Sequence, residues 1–126
     1  MSIIEIIKKR RSIRAFEEKE IEKEILDELK EAIIWAPSAG NLQSRKFYFV
    51  FNEETKKKLA IAALNQNFIA KAPLVIVACC DLERVSWYGK RGESLYTICD
   101  VSASIENLML LAAEKGLGSC WVGVSP

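Results

Sequence analysis

Three arginines and one serine stand within five residues near the start of the chain, in the order Arg10-Arg11-Ser12-Ile13-Arg14. They follow a short predicted helix, and the chain reads as extended from Ile13 onward. Alternate side chains of an extended segment share a face, so Arg10, Ser12 and Arg14 would point the same way. Two guanidinium groups on either side of a hydroxyl suit a phosphate dianion, because each makes paired hydrogen bonds with its oxygens. Taken alone, the segment is also open to interpretation as a solvated basic patch or a nucleic-acid contact.

A second segment, residues 36–41, consists of small residues and one amide, in the order Ala-Pro-Ser-Ala-Gly-Asn. Apolar residues recur at helical spacing over residues 21–35, and Pro37 ends that helix because the residue before a proline avoids helical angles. Small side chains let a ligand approach the main chain closely. Asn41 and Gln43 add amide groups that can read the polar edge of a flat ring. An ordinary helix-to-strand loop is the alternative interpretation.

At these residues the chain resembles the FMN-dependent nitroreductase family. The family opens with a short helix, an Arg-Arg-Ser-Ile/Val-Arg element, an amphipathic helix and an Ala-Pro-Ser-Ala-Gly-Asn-x-Gln loop, all of which stand here in order. The match continues through residues 68–78, 100–113 and 116–123, so it covers essentially the whole chain. The fold that it implies is a single α+β domain, residues 1–126, with a mixed, largely antiparallel sheet packed between helices.

The resemblance also implies which residues contact the cofactor FMN. Its phosphate and ribityl chain would meet the side chains of Arg10, Arg11, Ser12 and Arg14 and the backbone of Ile13. Its ring would meet Pro37, Ser38, Ala39 and Asn41 of the partner subunit, an amide from Asn65 or Gln66, and the strand Trp121, Val122 and Gly123. The loop that varies most with substrate carries Trp87 and Tyr88, which would either stack on a substrate or pin the loop by aromatic packing.

The activity that the resemblance implies is an FMN-dependent oxidoreductase. NADH or NADPH would reduce the flavin and then give way to a nitroaromatic, a quinone or a related acceptor, in ping-pong order. The flavin would do the redox work, water would deliver protons, and we predict no catalytic side chain. Three alternatives stay open: a flavin-binding protein without turnover, a family branch with different flavin chemistry, and an RNA or anion binder that uses the arginine segment.

The composition excludes several other classes of protein. The chain has 126 residues, half of them hydrophobic, and a formal net charge of +1, so it can bury a core and is unsuited to nucleic acid or to disorder. We expect that no apolar run reaches membrane-spanning length, because the run at residues 74–80 is far too short, and charged residues from Glu5 onward interrupt any signal-peptide layout. We therefore expect a cytoplasmic protein without a nucleic-acid or membrane partner.

The four cysteines, Cys79, Cys80, Cys99 and Cys120, show no Cys-x-x-Cys spacing, and the chain has no histidine to complete a zinc site. The lack of histidine also excludes a Ser-His or Cys-His catalytic dyad. We expect all four cysteines to be small buried apolar residues in a reducing compartment, with no bound metal.

Periodicity and turn residues predict the remaining elements. We expect a capped helix from Ser2, strands at residues 46–51, 74–80 and 119–124, a helix at 53–64, a polar loop at 81–93 and a long helix at 95–115. The apolar positions of the long helix cover more than one stripe, so it would be a central core helix or part of a subunit interface. The resemblance implies a domain-swapped homodimer built largely on this helix, with FMN at the interface.

The chain departs from the family pattern in two places. Where the family usually has Gln-Pro-Trp, this chain has Gln43-Ser44-Arg45, so the entry to the next strand loses a rigid turn and an aromatic residue. Arg45 would also alter the charge near the pocket. The sequence stops at Ser125-Pro126, whereas family members continue into an arm that wraps the partner and supplies another basic phosphate contact. Two interpretations stay open: a truncated family member without turnover, or a compact version that holds FMN by fewer contacts, for which FMN binding would be weak or sub-stoichiometric.

Overall fold

The computed structural model describes residues 1–123, and the expected strand residue Val124 lies outside the described part. The elements are α1 (Ile3–Lys9), α2 (Lys23–Ile34), β1 (Arg45–Val50), α3 (Glu53–Ala62), α4 (Phe68–Lys71), β2 (Val75–Cys80), α5 (Gly89–Arg91) and α6 (Thr97–Glu114). Short 3-10 turns lie at Ala39–Asn41 and Ser86–Tyr88, and a π-helical turn at Gly92–Tyr96. This mixture of helices around a sheet confirms the α+β prediction.

Caps and proline set the helix bounds that the sequence predicts. The Ser2 hydroxyl accepts a 3.3 Å hydrogen bond from the amide of Glu5, which confirms the cap of α1. The side chain of Asn52 caps α3 in the same way. Helix α2 begins two residues later than periodicity predicts, and Pro37 follows its last turn closely.

Strands β1 and β2 pair antiparallel, from Arg45 opposite Cys80 to Val50 opposite Val75. The sheet lies between helices, as expected. Phe47, Phe49 and Ile76 pack against the cluster of α2 and α6, whereas Val75 packs against the cluster of α3 and α4. The two clusters are centred on the buried residues Leu29, Leu108 and Ala112, and on Ala60, Ala63 and Ile69.

The expected strand at residues 119–124 is wrong for the residues that can be described. Ser119 makes one isolated parallel bridge, to Ser12, and no ladder extends from it within residues 1–123. The pairing there consists of this bridge and the hydrogen bond from the Ile13 amide to the Ser119 carbonyl. Val122 instead packs its side chain into the α3 and α4 cluster.

The expected polar loop at residues 81–93 is also wrong in part, because helical turns begin at Ser86 and run on into α6. The resulting run, Ser86–Glu114, contains an 18-residue window with a mean hydropathy of 1.2, enough by length and composition to cross a membrane. That corrects the expectation that no apolar run reaches such a length. The helix packs on α2 and on the sheet through the buried residues Val101, Leu108 and Ala112, and 39% of that window is buried.

The cysteines are less buried than expected. All four are free thiols, but Cys80 and Cys99 are exposed, and Cys79 and Cys120 are only half-buried. Their apolar character predicts burial, whereas the neighbours that would cover the end of β2 and the outer side of α6 are not supplied by the described residues.

Candidate functional site

The arginine segment begins where α1 ends, and Ile13 holds it in place. The amide of Ile13 donates a 2.8 Å hydrogen bond to the carbonyl of Ser119. A β-carbon at Gly118 would lie 2.9 Å from the side chain of Ile13, so only glycine allows this approach. Ile13 therefore faces residues 118–119, while Arg11, Ser12 and Arg14 stay exposed beside it.

Arg10 differs from the other two arginines of the segment. Its Nε atom lies 3.8 Å from Oε1 of Glu106 on α6, and its side chain is the least exposed of the three. Arg11 and Arg14 have no ion pair within residues 1–123. A long, half-exposed pair such as Arg10–Glu106 contributes little stability. The open donor set is therefore Arg11, Ser12 and Arg14, with Arg10 drawn toward α6.

The small-residue loop that follows α2 is a tight left-handed turn. The φ angles are +58° at Gly40, +56° at Asn41 and +52° at Gln43. Left-handed geometry costs most residues with a β-carbon about 1–2 kcal/mol, so Gln43 holds it only if the surroundings impose it, while asparagine tolerates it at position 41. The side-chain amide of Gln43 donates to Oδ1 of Asn41 at 3.2 Å, and its backbone amide donates to the Ser38 hydroxyl at 3.0 Å.

The restraint on this loop comes from α6. The carboxylate of Asp100 is buried and accepts two hydrogen bonds, from the amide of Ala39 at 3.0 Å and from the Ser44 hydroxyl at 2.7 Å. One turn earlier on the same face, the Thr97 hydroxyl donates to the carbonyl of Ser44 at 2.7 Å. The loop is thus fixed at both ends to one face of the central helix.

Arg45 clamps the same loop from the other side. Its guanidinium donates to the carbonyl of Ala36 at 2.6 Å, to that of Pro37 at 3.0 Å and to that of Asp100 at 3.1 Å. Burial lowers the pKa of Arg45 and the charge of Asp100 partly restores it, so the side chain keeps its charge at neutral pH. The expectation that Ser44-Arg45 loosens this turn is therefore wrong, because hydrogen bonds replace the rigid proline turn.

The two aromatic residues of the variable segment have different environments. Trp87 is 83% exposed. Tyr88 is half-buried, stacks edge-to-face on Tyr96 with ring centroids 5.0 Å apart, and places its hydroxyl against Gly40. Tyr88 therefore pins its segment by aromatic packing, and Trp87 is the residue left available to a substrate.

The two candidate amides after α3 can also be told apart. The side chain of Gln66 donates to the carbonyl of Ala63 at 2.9 Å and so caps the end of α3. Asn65 is exposed in a left-handed conformation, with φ +59°. Val122 packs against the cluster that contains Ala63, so the exposed residues Trp121 and Gly123 lie near this turn. Asn65 is the amide that a ligand can reach.

Within one chain the arginine segment and the small-residue loop stay apart. Arg10 meets α6 at Glu106, whereas Ala39 meets it at Asp100. Six residues of α-helix separate those contacts by about 9 Å along the axis and about 120° around it. No hydrogen bond or ion pair among the described residues joins 10–14 to 37–41.

The predicted site residues line an open surface. One open cavity of about 330 Å³ lies between α2 and the start of β1. Its walls are Ile33, Ile34, Gln43, Arg45, Lys46, Asp81 and Arg84, of which only Gln43 is among the expected ligand contacts. A ligand on the predicted residues would therefore need a second surface to cover it.

The chemistry of the donor set fits a phosphate bound at residues 11–14. Arg11 and Arg14 offer guanidinium forks and Ser12 a hydroxyl, and all three are exposed. Sequence reasoning predicted these residues but missed Asp100, Ser44 and Thr97, which shape the second segment. Polar residues at helical spacing inside an apolar helix, Thr97, Asp100 and Ser104, were the signal that could have revealed them.

Comparison with known proteins supports the resemblance to the nitroreductase family along essentially the whole chain. The model of the Nitroreductase family matches residues 7–81 and 60–126. A Methanothermobacter thermautotrophicus protein, provisionally named an NADH dehydrogenase/NAD(P)H nitroreductase, is 32% identical over 128 residues, which cover 100% of this chain and 63% of that protein. The chain thus spans less than two thirds of that relative's length.

Solved structures show the same fold. An FMN-dependent nitroreductase from Clostridium difficile is 36% identical with a TM-score of 0.82, and the match covers 96% of this chain and 66% of that one. The NADPH:FMN oxidoreductase of Vibrio harveyi, solved in complex with NAD+, is 28% identical with a TM-score of 0.87, covering 96% and 55%.

Proposed function

We propose, on the premise that this chain belongs to the nitroreductase family, that it binds FMN and acts as an NAD(P)H-dependent oxidoreductase. The observation that carries the proposal is the arrangement of Arg11, Ser12 and Arg14. The hydrogen bond from Ile13 to Ser119 fixes their backbone, and their side chains stay exposed without a carboxylate partner among residues 1–123. Three donors held in this way suit the phosphate of FMN.

The phosphate would be bound chiefly by charge-assisted hydrogen bonds. Each such bond contributes about 1.5–3 kcal/mol when it is shielded from water. Arg10 would add positive charge from the side of α6, where Glu106 already holds it. The arginine segment would therefore bind the phosphate end of FMN, and the small-residue loop and residues 121–123 would contact the ring.

Two copies of the chain would complete each site. The support is geometric, since the arginine segment and the small-residue loop lie on different sides of α6 within one copy. Apolar side chains also lie exposed on α1 and α6, among them Ile3, Ile4, Ile7 and Ile98. A homodimer would cover such surfaces, and it would bring Pro37, Ser38, Ala39 and Asn41 of one copy to the arginine segment of the other.

When bound, FMN would supply the two-electron transfer that no side chain of this chain provides. The residues would fix its phosphate, orient its ring and exclude water from one face. The exposed side chain of Trp87 would contact an aromatic acceptor such as a nitroaromatic or a quinone. NADH or NADPH and the acceptor would use one place in turn, in ping-pong order, and water would exchange the protons. The near-neutral charge and the four free thiols support a cytoplasmic protein with neither a nucleic-acid nor a membrane partner.

The test is reconstitution of the purified full chain with FMN, followed by removal of the excess and anaerobic addition of NADH or NADPH. We expect a retained flavin spectrum that bleaches with one of the two nucleotides and recovers when a quinone or nitroaromatic is added. Retained flavin without bleaching would support a flavin-binding protein without turnover instead. A chain that retains no flavin would overturn the proposal.

A further inference from the structure

We infer that Asp100 is a positioning residue for the small-residue loop, and that it acts together with Ser44. The inference rests on the proposed function, because the loop matters for catalysis only if it faces FMN. Asp100 itself lies in the interior, 3% exposed, and would touch neither cofactor nor substrate. Its role would be to hold the backbone of Ala39 in the one conformation that a ring can approach.

Both carboxylate oxygens of Asp100 accept hydrogen bonds from this loop. Oδ1 accepts from the amide of Ala39, 61 positions away in sequence, and Oδ2 accepts from the hydroxyl of Ser44, 56 positions away. Ser44 is fully buried and its carbonyl accepts from Thr97 and from the amide of Asp81. One acidic side chain therefore links α6, the loop and the entry to β1.

The need for such a link follows from the backbone. Gln43 adopts a left-handed angle that most residues with a β-carbon avoid when they are free, whereas asparagine tolerates the left-handed angle found at Asn41. The 3-10 turn between them and Ser38 has only two backbone hydrogen bonds of its own, to the carbonyls of Ser38 and Ala39. Without the bond from Ala39 to Asp100, the relaxed loop would sample other conformations, and FMN would have to select the competent one.

Asparagine at position 100 is the informative substitution. It keeps the shape of aspartate and one acceptor oxygen, but it replaces the other oxygen by an NH2 group, which cannot accept a hydrogen bond from the Ala39 amide or the Ser44 hydroxyl. Ser44→Ala removes the second donor and leaves the carboxylate in place. Ser104→Ala is the matched control, because Ser104 is also a fully buried serine, and its hydroxyl donates to the carbonyl of Ile33 at 2.9 Å, away from the loop.

Three measurements on the full chain test the inference. They are the FMN dissociation constant from fluorescence quenching, the visible circular dichroism of bound FMN, and hydrogen exchange at the Ala39 amide without FMN. We expect Asp100→Asn and Ser44→Ala to raise the FMN dissociation constant about tenfold, a change of about 1.4 kcal/mol. They should also alter the dichroism and speed exchange at Ala39, whereas Ser104→Ala should change none of the three.

Equal thermal destabilisation in all three variants, with an unchanged FMN constant and dichroism, would show that Asp100 supports the fold alone and would overturn the inference. If Asp100→Asn does not fold, the inference is decided by the same three measurements on Ser44→Ala and its control Ser104→Ala. If the wild-type chain takes up no FMN, the proposed function fails, and exchange at the Ala39 amide alone decides whether Asp100 restrains the loop. Faster exchange in Asp100→Asn and Ser44→Ala than in Ser104→Ala would support the restraint, and equal exchange in all three would overturn it.

Discussion

The hydroxyl oxygen of Tyr88 lies 2.5 Å from the position that a β-carbon on Gly40 would occupy, and two further ring atoms lie 3.3 Å from it. The side chain of Tyr88 therefore packs directly against the backbone of Gly40. The contact joins the small-residue loop to the segment that carries the exposed Trp87. In the proposed function, it sets where a substrate-facing aromatic stands relative to the cofactor-facing loop.

Gly40→Ala should destabilise the chain by about 2–4 kcal/mol, the sum of a left-handed backbone and a collision with a packed ring. The measurement is the free energy of unfolding in urea. Gly116→Ala is the control, because Gly116 has φ +78° but nothing within 4 Å of a built β-carbon. That variant should lose only about 1–2 kcal/mol.

The double variant Gly40→Ala with Tyr88→Phe separates the two causes. Removing the hydroxyl relieves the shortest contact, so the double variant should be more stable than Gly40→Ala alone. If Tyr88→Phe brings no recovery, the collision does not explain the need for glycine.

Arg14→Ala should raise the FMN dissociation constant between about tenfold and a hundredfold while leaving the thermal midpoint unchanged, since one charge-assisted phosphate contact is lost. Arg10→Ala should act in the same direction. Titration with riboflavin, which lacks the phosphate, is the internal control and should show no change. Lys19→Ala, another exposed cation, should leave both affinities unaltered. Equal loss of FMN and riboflavin affinity would argue against a phosphate contact.

The ion pair between Lys115 and Glu28 should make the stability of the fold depend weakly on pH in the alkaline range. A 2.9 Å hydrogen bond to Glu28, with its negative charge, raises the pKa of Lys115. A raised pKa in the folded state stabilises the protein below the unfolded value of about 10.4, and that contribution is lost as the pH rises through the folded value. Glu28→Gln should therefore lower the thermal midpoint at pH 8 and converge with wild type as the pH rises through the folded-state pKa of Lys115. The exposed Glu24→Gln is the control, and a gap that widens at alkaline pH would contradict the assignment.

Arg45→Met should destabilise the chain by about 2–3 kcal/mol, because three carbonyls at the end of α2 and on α6 lose a charged donor. Arg45→Lys should recover only part of this loss, since an ammonium cannot match the fork of a guanidinium. Arg84→Met, at an exposed arginine 3.6 Å from Asp81, should cost well under 1 kcal/mol. Full rescue by lysine in urea unfolding would show that charge alone matters.

Much of the fold follows from local sequence. Periodicity, the Ser2 cap and Pro37 predict α1, α2, β1, α3, β2 and α6 to within a few residues, since each signal lies inside the element that it sets. The segment at 81–96 was missed because its turns follow no single period. The exposure of Cys80 and Cys99 was missed because residue type does not reveal which neighbours cover a side chain.

The candidate site, like the fold, could be predicted from the sequence only in part. The arginine segment is contiguous, so its residues and their chemistry are readable from the sequence. The link between Ala39 and Asp100 spans 61 positions and depends on how α6 packs beside the loop. Periodicity predicts a buried face on α6 but not what a polar residue on that face contacts. The FMN contacts themselves stay predictions.

The most direct test of the two-chain FMN site mixes two defective variants. Arg14→Ala disables the phosphate half of a site, and Ala39→Tyr blocks the ring half with a bulky side chain. If each site joins the arginine segment of one copy to the loop of the other, a mixed dimer holds one intact site. Co-refolding equal amounts should then restore wild-type FMN affinity at about a quarter of all sites. No recovered site, in a mixture where native mass spectrometry shows mixed dimers, would contradict the two-chain site.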